Sequence, residues 1–241
     1  MTGSLVVVGT GIGAAQLTTE ARAELAGADE VFYLVGDPLS ERAVLDLVPH
    51  AQSLGASYED GRSRREAYER MVETILAPAR VGKHVCAAFY GHPGMLVFPS
   101  REAIGRARAE GLDARMLPGI SALDCLFADL GVDPAESGCQ TYEAGDFLRR
   151  RPVVEPRAAL VLWQVGVVGQ EFHSPDGAPV ALPELVDALL ESYPPDHELV
   201  VYEASPYPGV APQVESVGLG ALTASAVSHR STVYVPPLAP R

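Results

Sequence analysis

Short hydrophobic runs alternate with amphipathic stretches along most of the chain. Six runs are rich in β-branched and aromatic residues and end at turn residues, which predicts buried strands. Five stretches carry apolar residues at helical spacing and predict helices. The predicted strands are Leu5–Val8, Val31–Val35, Val85–Phe89, Leu160–Trp163, Leu199–Tyr202 and Thr232–Val235, and the predicted helices are Leu17–Ala26, Glu66–Ala79, Arg101–Ala109, Ala122–Leu130 and Glu184–Ser192.

The alternation of strands and helices predicts an α/β protein with a largely parallel sheet. A change in composition near Pro118–Ser121 is the best candidate for a junction. We therefore expect an N-terminal α/β domain over residues 1–122 and a C-terminal α/β domain over residues 123–241. Segments rich in Pro, Gly or Arg predict surface loops over Arg149–Pro156, Ser174–Pro183 and Ser205–Gln213.

The composition is that of a folded protein, with 47% hydrophobic and 20% charged residues among 241. A net charge of -13 argues against a nucleic-acid partner, because binding to phosphates needs the opposite sign. Cys86, Cys125 and Cys139 form no CxxC pair, so neither a zinc knuckle nor a disulfide framework is predicted. Because the start of the chain lacks a signal-peptide pattern and no run is long enough to span a bilayer, we expect a cytoplasmic protein without a membrane partner.

The first predicted strand is followed by a Gly-rich turn, Gly9-Thr10-Gly11-Ile12-Gly13-Ala14. Its spacing fits the dinucleotide-binding pattern GxGxxG/A, and Asp37 follows the second strand where a ribose-binding carboxylate would lie. Two interpretations stay open, a site for an NAD-type dinucleotide or glycines that only form a tight turn. Capping residues at Gln16–Thr19 predict that the next helix starts several residues after the turn.

A second loop, Tyr90–Ser100, follows the third predicted strand. Gly91 and Gly94 would let the backbone approach a ligand closely, and the proline between them would stiffen the turn. His92 is either a turn histidine with structural hydrogen bonds or a ligand-binding side chain. No second His or acidic residue lies at a suitable spacing, so no metal site is predicted. Ser100 is predicted to cap the next helix.

A charged segment reads YEDGRSRREAY and ends at Tyr68. Ser63 and Glu66 have the spacing of a capping box, which predicts that a helix begins at Arg64 after a turn at Asp60-Gly61. Arg64 and Tyr68 then lie one turn apart on one helix face, at the positive end of the helix dipole. The alternative is an ordinary amphipathic helix in which Tyr68 packs inward and the arginines are solvated.

Eight segments together carry a family resemblance. They read VVVGTGIG, ADEVFYLVGDP, YEDGRSRREAY, FYGHPGMLVFPS, ARMLPGISALDCLFADLGVDP, TYEAGDFLRRRP, WQVG and STVYVPP. The chain resembles the tetrapyrrole-methylase-like enzymes, and among them it looks most like the borosins, the peptide backbone α-N-methyltransferases of the omphalotin type. The resemblance runs from about Leu5 to Pro237 and is most specific in Met116–Pro134 and in the segment that ends at Tyr68.

The resemblance implies a tetrapyrrole-methylase-like fold, in which two α/β domains bind S-adenosylmethionine (SAM) in the cleft between them and release S-adenosylhomocysteine (SAH). Backbone amides and small residues at strand ends can hold the carboxylate, ribose and adenine of such a cofactor. The implied cofactor-binding residues are Tyr90, His92, Met95, Ser121 and Ala122 in the first half, and Gln164, Tyr202, Ser231 and Thr232 in the second.

The resemblance also implies that Tyr58, Arg64 and Tyr68 are catalytic. A peptide amide nitrogen is a poor nucleophile, so its methylation needs proton removal and stabilisation of the developing imidate oxygen. Tyr68 is the candidate base, Arg64 the electrostatic stabiliser and Tyr58 a positioning or proton-relay partner. One residue departs from the pattern, because the family has a further tyrosine where this chain has Gly55.

The resemblance implies a homodimer that methylates a ribosomally made peptide. Omphalotin-type proteins continue into a core peptide that they methylate on themselves, whereas this chain stops at Arg241 with no hydrophobic tail after Tyr234. We therefore expect a precursor peptide supplied in trans, although a shortened fused protein would have the same sequence. The alternatives are C-methylation of a precorrin-like tetrapyrrole, an NAD-binding oxidoreductase and an inert peptide-binding module.

Overall fold

The computed structural model describes residues 3–58, 63–170 and 179–239. The predicted turn at Asp60-Gly61 and residues 174–178 of a predicted loop lie outside these ranges. The described residues form two compact units. The first comprises the chain up to Cys125 with Ser205–Val210, and the second comprises Leu126–Ala204 and the chain from Ala211 onward.

The described part of the first unit contains one sheet of parallel strands. The strands are β1 Ser4–Gly9, β2 Glu30–Leu34, β3 Gln52–Ser53, β4 His84–Phe89 and β5 Asp113–Met116. They lie in the order β3-β2-β4-β1-β5, and every neighbouring pair is parallel. The parallel α/β arrangement is therefore confirmed for this part of the chain.

Helices cover both faces of this sheet. They are α1 Thr19–Gly27 and α2 Pro38–Leu47 on one face, and α3 Arg64–Arg80 and α4 Phe98–Ala109 on the other. Along β1, Leu5 and Val7 pack in the core with α3 and α4, whereas Val6 and Val8 pack in the core with α1 and α2. Because both faces of the strand are buried, its sequence is a continuous apolar run.

The second unit contains a mixed sheet. Its strands are β6 Cys139–Glu143, β7 Ala159–Trp163, β8 Glu198–Glu203, β9 Gln213–Gly218 and β10 Thr232–Val235, in the order β6-β7-β10-β8-β9. Only β6 and β7 are parallel, so the prediction of a largely parallel sheet is wrong here. Residues 198–235 are all described and contain no α-helix, so no crossover returns the chain in the same direction.

The remaining α-helices follow the last strand of the first sheet along the chain. They are α5 Ala122–Leu130, α6 Pro134–Ser137, α7 Ala144–Arg150 and α8 Leu182–Leu190. The buried side chains of α7 and α8 pack with β7, β8 and β10 in a single core. Across the described ranges, every helix is too short or too polar to traverse a bilayer.

The sequence pattern missed the edges of both sheets and some short helices. β3, β5, β6 and β9 are the four edge strands, and their polar residues interrupt any apolar run. Helices α2, α6 and α7 were also missed. The start of α2 carried a signal, because Pro38 follows Asp37, whose carboxylate accepts hydrogen bonds from the amides of Leu39 and Ser40.

The predicted cap at Ser100 is wrong. Helix α4 already begins at Phe98, with Val97 at the N-cap position. Ser100 lies in the first turn, fully buried, and its hydroxyl donates to the carbonyl oxygens of Pro93 and Val97. Ser100 therefore fastens the preceding loop to the helix instead of capping the helix.

Three glycines let the strand-end loops of the first sheet cross in direct contact. Gly9 ends β1, Gly91 follows β4 and Gly119 follows β5. A Cβ atom on either Gly9 or Gly119 would collide with the carbonyl oxygen of Gly91 and lie 2.8 Å from the other glycine's Cα. The loops after β1, β4 and β5 can lie against one another only because these positions have no side chain.

Gly119→Ala should lower the free energy of unfolding by about 1–3 kcal/mol, because the added methyl group overlaps packed backbone. Gly105→Ala in α4 is the matched control, since a Cβ there meets no atom within 4 Å. The control should leave stability unchanged or raise it by about 0.4–1 kcal/mol. Urea unfolding measures both variants, and equal stability would contradict the proposed crossing.

Candidate active site

The loop after β4 carries the first group of predicted cofactor-binding residues. The amide of Tyr90 donates to the carbonyl of Leu34 at 3.0 Å, which holds the loop beside the end of β2. The Tyr90 side chain is 38% exposed, and a Cβ on Gly36 would lie 3.7 Å from its ring. The aromatic face therefore lies at the carboxyl ends of two neighbouring strands, where α/β sheets bind ligands.

His92 and Met95 form the turn of this loop. The Met95 amide donates to the His92 carbonyl at 3.0 Å, and the Gly94 amide donates to His92 Nδ1 at 2.9 Å. Because Nδ1 accepts, Nε2 carries the proton of the neutral ring and is left to donate. The structural hydrogen bond expected of a turn histidine is therefore present, and ligand binding by His92 stays a prediction.

Ser121 and Ala122 begin helix α5. The Ser121 hydroxyl donates to Asp124 Oδ2 at 2.6 Å and accepts from the Asp124 amide at 3.2 Å, while the Ser121 amide donates to the same carboxylate at 2.7 Å. These reciprocal bonds cap the helix. The hydroxyl proton of Ser121 is committed to Asp124, so a ligand could use only its remaining lone pair.

The predicted cofactor residues of the second unit share one end of its sheet. Gln164 follows β7, Tyr202 lies near the end of β8, and Ser231 and Thr232 lie at the start of β10. Thr232 pairs directly with Tyr202, and β7 runs antiparallel on the other side of β10. The topology therefore groups four residues that are far apart in the sequence.

Two of these side chains are already engaged within the second unit. The Tyr202 hydroxyl donates to Asp129 Oδ2 at 2.6 Å, and the Ser231 hydroxyl donates to Glu203 at 2.8 Å. Both residues are almost fully buried. Gln164 is exposed and has a positive φ of 57°, an uncommon conformation for a residue with a side chain. Such backbone strain is often found at functional sites.

The predicted start of the charged helix is confirmed. Helix α3 begins at Arg64, with Ser63 at the N-cap position. The Glu66 amide donates to Ser63 Oγ at 3.3 Å, and the Ser63 amide donates to Glu66 Oε2 at 3.2 Å. An arginine in the first turn faces the positive end of the helix dipole, which costs about 0.3–1 kcal/mol. Helix stability alone therefore does not account for Arg64.

Tyr68 lies between two other aromatic rings. Its ring centroid is 6.2 Å from that of Tyr58, edge to face, and 5.8 Å from that of Phe98, nearly parallel. Phe98 is the first residue of α4, directly after the Tyr90–Val97 loop. The half-buried Tyr68 packs against the core of the first unit, as the amphipathic alternative expects, and through Phe98 it also contacts the end of the loop that carries predicted cofactor residues.

The environment of Tyr58 keeps its hydroxyl protonated. Burial raises the pKa of Tyr58 well above its ordinary value, and the charge and hydrogen bond of Tyr68 raise it further, while the charge of Arg64 opposes these effects. Tyr58 therefore stays a neutral phenol beside the ring of Tyr68.

Sequence reasoning missed two residues that position this group. Arg70, on α3, donates to the carbonyl oxygen of Ser57, immediately before Tyr58. Phe98 supplies the ring against Tyr68. The helical spacing of Arg70 gave no sign of its role, because its partner is a backbone atom outside the helix.

The first Gly-rich turn lacks the amides that a dinucleotide needs. Gln16 Oε1 accepts from the amides of Ile12 at 2.7 Å and Gly13 at 3.1 Å, so these donors are not available to a pyrophosphate. Asp37 caps α2, and α1 begins only at Thr19. These bonds favour a closed turn. In the described ranges, no cluster of three or more His, Cys, Asp or Glu residues could hold a metal ion.

The chain belongs to the tetrapyrrole methylase family. Residues 4–209 match the family described as Tetrapyrrole (Corrin/Porphyrin) Methylases. The structure of uroporphyrin-III-C-methyltransferase from Thermus thermophilus is similar over 98% of this chain and 93% of that chain, with a TM-score of 0.69 at 22% identity. The predicted tetrapyrrole-methylase-like fold is therefore confirmed.

Two relatives combine a methyltransferase with a peptide. The chain is 43% identical to the methyltransferase/ribosomally synthesized cyclic peptide dendrothelin A precursor of Dendrothele bispora. It is 41% identical to the corresponding omphalotin A precursor of Omphalotus olearius. Both matches cover 98% of this chain but only 58% of the relative, so the chain spans little more than half their length. The resemblance to the omphalotin type is confirmed.

The Tyr58 environment predicts a pH-dependent contribution to stability. Because the pKa of Tyr58 is raised in the folded state, this contribution is complete below the ordinary value of 10.0 and is lost as the pH rises above it. Urea unfolding between pH 8 and roughly pH 11 should therefore show a steeper loss for the wild type than for Tyr58→Phe. Tyr207→Phe, at a partly exposed ring, is the control. Parallel curves for the wild type and Tyr58→Phe would refute the raised pKa of Tyr58.

Proposed function

We propose that this protein is a SAM-dependent methyltransferase that methylates backbone amide nitrogens of a ribosomally made peptide. The observation that carries the proposal is the contact of Tyr68 with both Tyr58 and Phe98. It brings the candidate base beside a second phenol and next to the loop with the candidate cofactor residues. The names of the relatives, which pair a methyltransferase with a cyclic peptide, support the same substrate class.

The described residues fit SAM in their chemistry. Tyr90 offers a partly exposed ring, His92 an N–H donor, and Ser121 a free lone pair beside the first amide of α5. Met95 and Ala122 add small or flexible apolar surface. Gln164, Tyr202, Ser231 and Thr232 are proposed cofactor-binding residues as well. When bound, SAM supplies an electrophilic methyl group.

The task of the protein is to make an amide nitrogen nucleophilic. Tyr68 packs edge to face against Tyr58 and lies on the same helix as Arg64, and we assign it to take the amide proton. Arg64 provides a permanent positive charge for the imidate oxygen as it develops. Tyr58 positions Tyr68 and keeps its own proton, which favours the positioning role over the relay role.

Gly55 stands where the family has a further tyrosine, and the proposed set of Tyr58, Arg64 and Tyr68 does not include that position. Gly55 begins a short turn that ends at Ser57, and the Tyr58 amide donates to the Gly55 carbonyl at 3.0 Å. A Cβ on Gly55 would press within 3.2 Å of Ser53 Oγ. The turn that presents Tyr58 therefore forms without the family tyrosine, and we propose that Tyr58, Arg64 and Tyr68 suffice for the reaction.

The remaining parts of the proposal concern the partner molecules. We propose that the peptide is supplied in trans and that the active form is a homodimer. C-methylation of a tetrapyrrole is disfavoured, because a carbon nucleophile of that type does not require the Tyr58–Arg64–Tyr68 set. A methylation assay with a peptide added in solution tests directly whether the substrate is a peptide supplied in trans.

The cofactor class is tested by calorimetric titration with SAH and with NAD. SAH should bind with a one-to-one stoichiometry per chain, whereas NAD should not bind, because Gln16 occupies the amides of Ile12 and Gly13. The variant Gln16→Ala removes the acceptor for these two amides and should leave SAH binding unchanged. Binding of NAD without SAH would overturn the methyltransferase assignment.

The catalytic assignment is tested with Arg64→Lys and Tyr68→Phe. Each should lower the rate of peptide methylation roughly a hundredfold, as does the loss of one transition-state hydrogen bond, while SAH affinity stays unchanged. Arg65→Lys is the matched control, because Arg65 is the exposed neighbour on the same helix. Mass spectrometry of a peptide copied from the omphalotin A precursor follows the methyl count over time. Wild-type rates in both variants would refute these roles.

A further inference from the structure

A buried carboxylate lies beside the second group of cofactor residues without belonging to it. Glu203 ends β8 and is only 7% exposed. Its Oε1 accepts hydrogen bonds from the hydroxyls of Ser228 and Ser231, and its Oε2 lies 3.5 Å from the guanidinium of Arg230. Three of the four residues in the 228–231 loop therefore converge on one side chain.

The same loop is closed by its own hydrogen bonds. The Ser228 amide donates to Ser231 Oγ at 2.8 Å, and the Ser231 amide donates to the Ser228 carbonyl at 3.0 Å. The Arg230 amide donates to Ser228 Oγ at 3.1 Å. Each serine hydroxyl thus accepts from the loop backbone and donates to Glu203, so the carboxylate fixes the conformation of the whole loop.

The loop in turn braces the turn that follows β7. A Cβ on Gly166 would collide with the carbonyl group of Ser228 and lie 2.9 Å from the His229 amide nitrogen. The Val165–Val167 turn therefore packs directly on the loop backbone. Gln164, with its positive φ, stands at the start of this turn.

Stability alone is a weak explanation for Glu203. A buried carboxylate loses its hydration, and replacing a buried ionic group with apolar residues of similar volume is often neutral or stabilising. The neighbouring positions on β8, Val201 and Leu199, are apolar and buried. A carboxylate at this end of the strand is better explained by the loop that it organises.

We propose that Glu203 is a positioning residue for the cofactor. Its carboxylate holds the 228–231 loop so that Ser231 and Thr232 are presented in a fixed geometry, and through Gly166 it supports Gln164. The inference rests on the proposed function, since it assumes that these residues bind SAM. Glu203 itself acts through them.

Calorimetric titration with SAH tests the proposal without any peptide substrate. Glu203→Met removes the acceptor and leaves two buried hydroxyls unpaired, and it should weaken SAH binding by roughly tenfold or more. Glu203→Gln keeps an acceptor at the Oε1 position and should retain most of the affinity. Ser228→Ala removes one donor without placing a new group in the core, and should weaken binding by about threefold.

A matched control separates positioning from general stability. Leu199→Val removes one methylene from the same strand, in the core and away from the loop. It should lower the unfolding temperature but leave the dissociation constant for SAH unchanged. If Glu203→Met is too unstable to titrate, Ser228→Ala decides the question by the same measurement.

The outcomes distinguish the two proposals. Absence of SAH binding by the wild type would overturn the proposed function and, with it, this inference. Wild-type affinity in Glu203→Met and Ser228→Ala would overturn only the positioning role. An equal loss of affinity in Leu199→Val would also overturn it, because lost stability would then explain the effect.

Discussion

The first unit depends on one close approach of backbone to backbone. Gly9, Gly91 and Gly119 meet at the ends of three neighbouring strands, where a single methyl group would collide with a carbonyl oxygen. This contact determines where the loops after β1, β4 and β5 leave the sheet. The loop with Tyr90 and His92 therefore has a fixed origin, and hydrogen bonds within the loop and to Leu34 and Ser100 hold the rest of it.

The candidate catalytic residues are held by apolar packing and caps more than by ion pairs. Helix α3 buries an apolar stripe that includes Met71 and Ile75 against the sheet, and its start is fixed by the Ser63–Glu66 box. Salt bridges such as Arg106–Glu69 also join α3 to α4, but these side chains are partly exposed, so each contributes only about 0–1 kcal/mol. This packing offsets the unfavourable free energy of placing the Arg64 charge at the positive end of the helix dipole.

The second unit also fixes residues at the ends of its strands, and it uses a buried carboxylate to do so. Antiparallel pairing brings the end of β7, the end of β8 and the start of β10 to one edge of the sheet. The loop before β10 packs closely on Gly166, and in addition a buried carboxylate accepts hydrogen bonds from two of its serine hydroxyls. Both units thus present short, rigid loops at strand ends.

The sequence predicted the features that depend on neighbouring residues. Strands such as β1 and β4 were found because both faces are buried, which makes them apolar throughout, and the start of α3 was found from its capping box. The edge strands were missed because polar residues suffice there. Strand direction in the second sheet was wrong, because the sequence of one strand does not encode the direction of its partner.

Only part of the candidate site could be predicted from the sequence. The family resemblance identified Tyr58, Arg64 and Tyr68 as candidate catalytic residues. The structure then placed Arg64 and Tyr68 one turn apart on the same helix, as predicted. The partners Phe98 and Arg70 contact this group across the fold, so no spacing in the sequence could reveal them. Asp37 fitted a ribose-binding position in one of two open interpretations, although its place before Pro38 already marked a helix start.

We propose that the acceptor of the methyl group is a backbone nitrogen. This is tested by supplying SAM with a deuterated methyl group, together with a precorrin-like tetrapyrrole and a peptide copied from the omphalotin A precursor. Tandem mass spectrometry and acid hydrolysis then locate the label. We expect deuterated N-methyl amino acids from the peptide backbone and an unlabelled tetrapyrrole. Label on a tetrapyrrole carbon, or only on peptide side chains, would refute a backbone nitrogen as the acceptor.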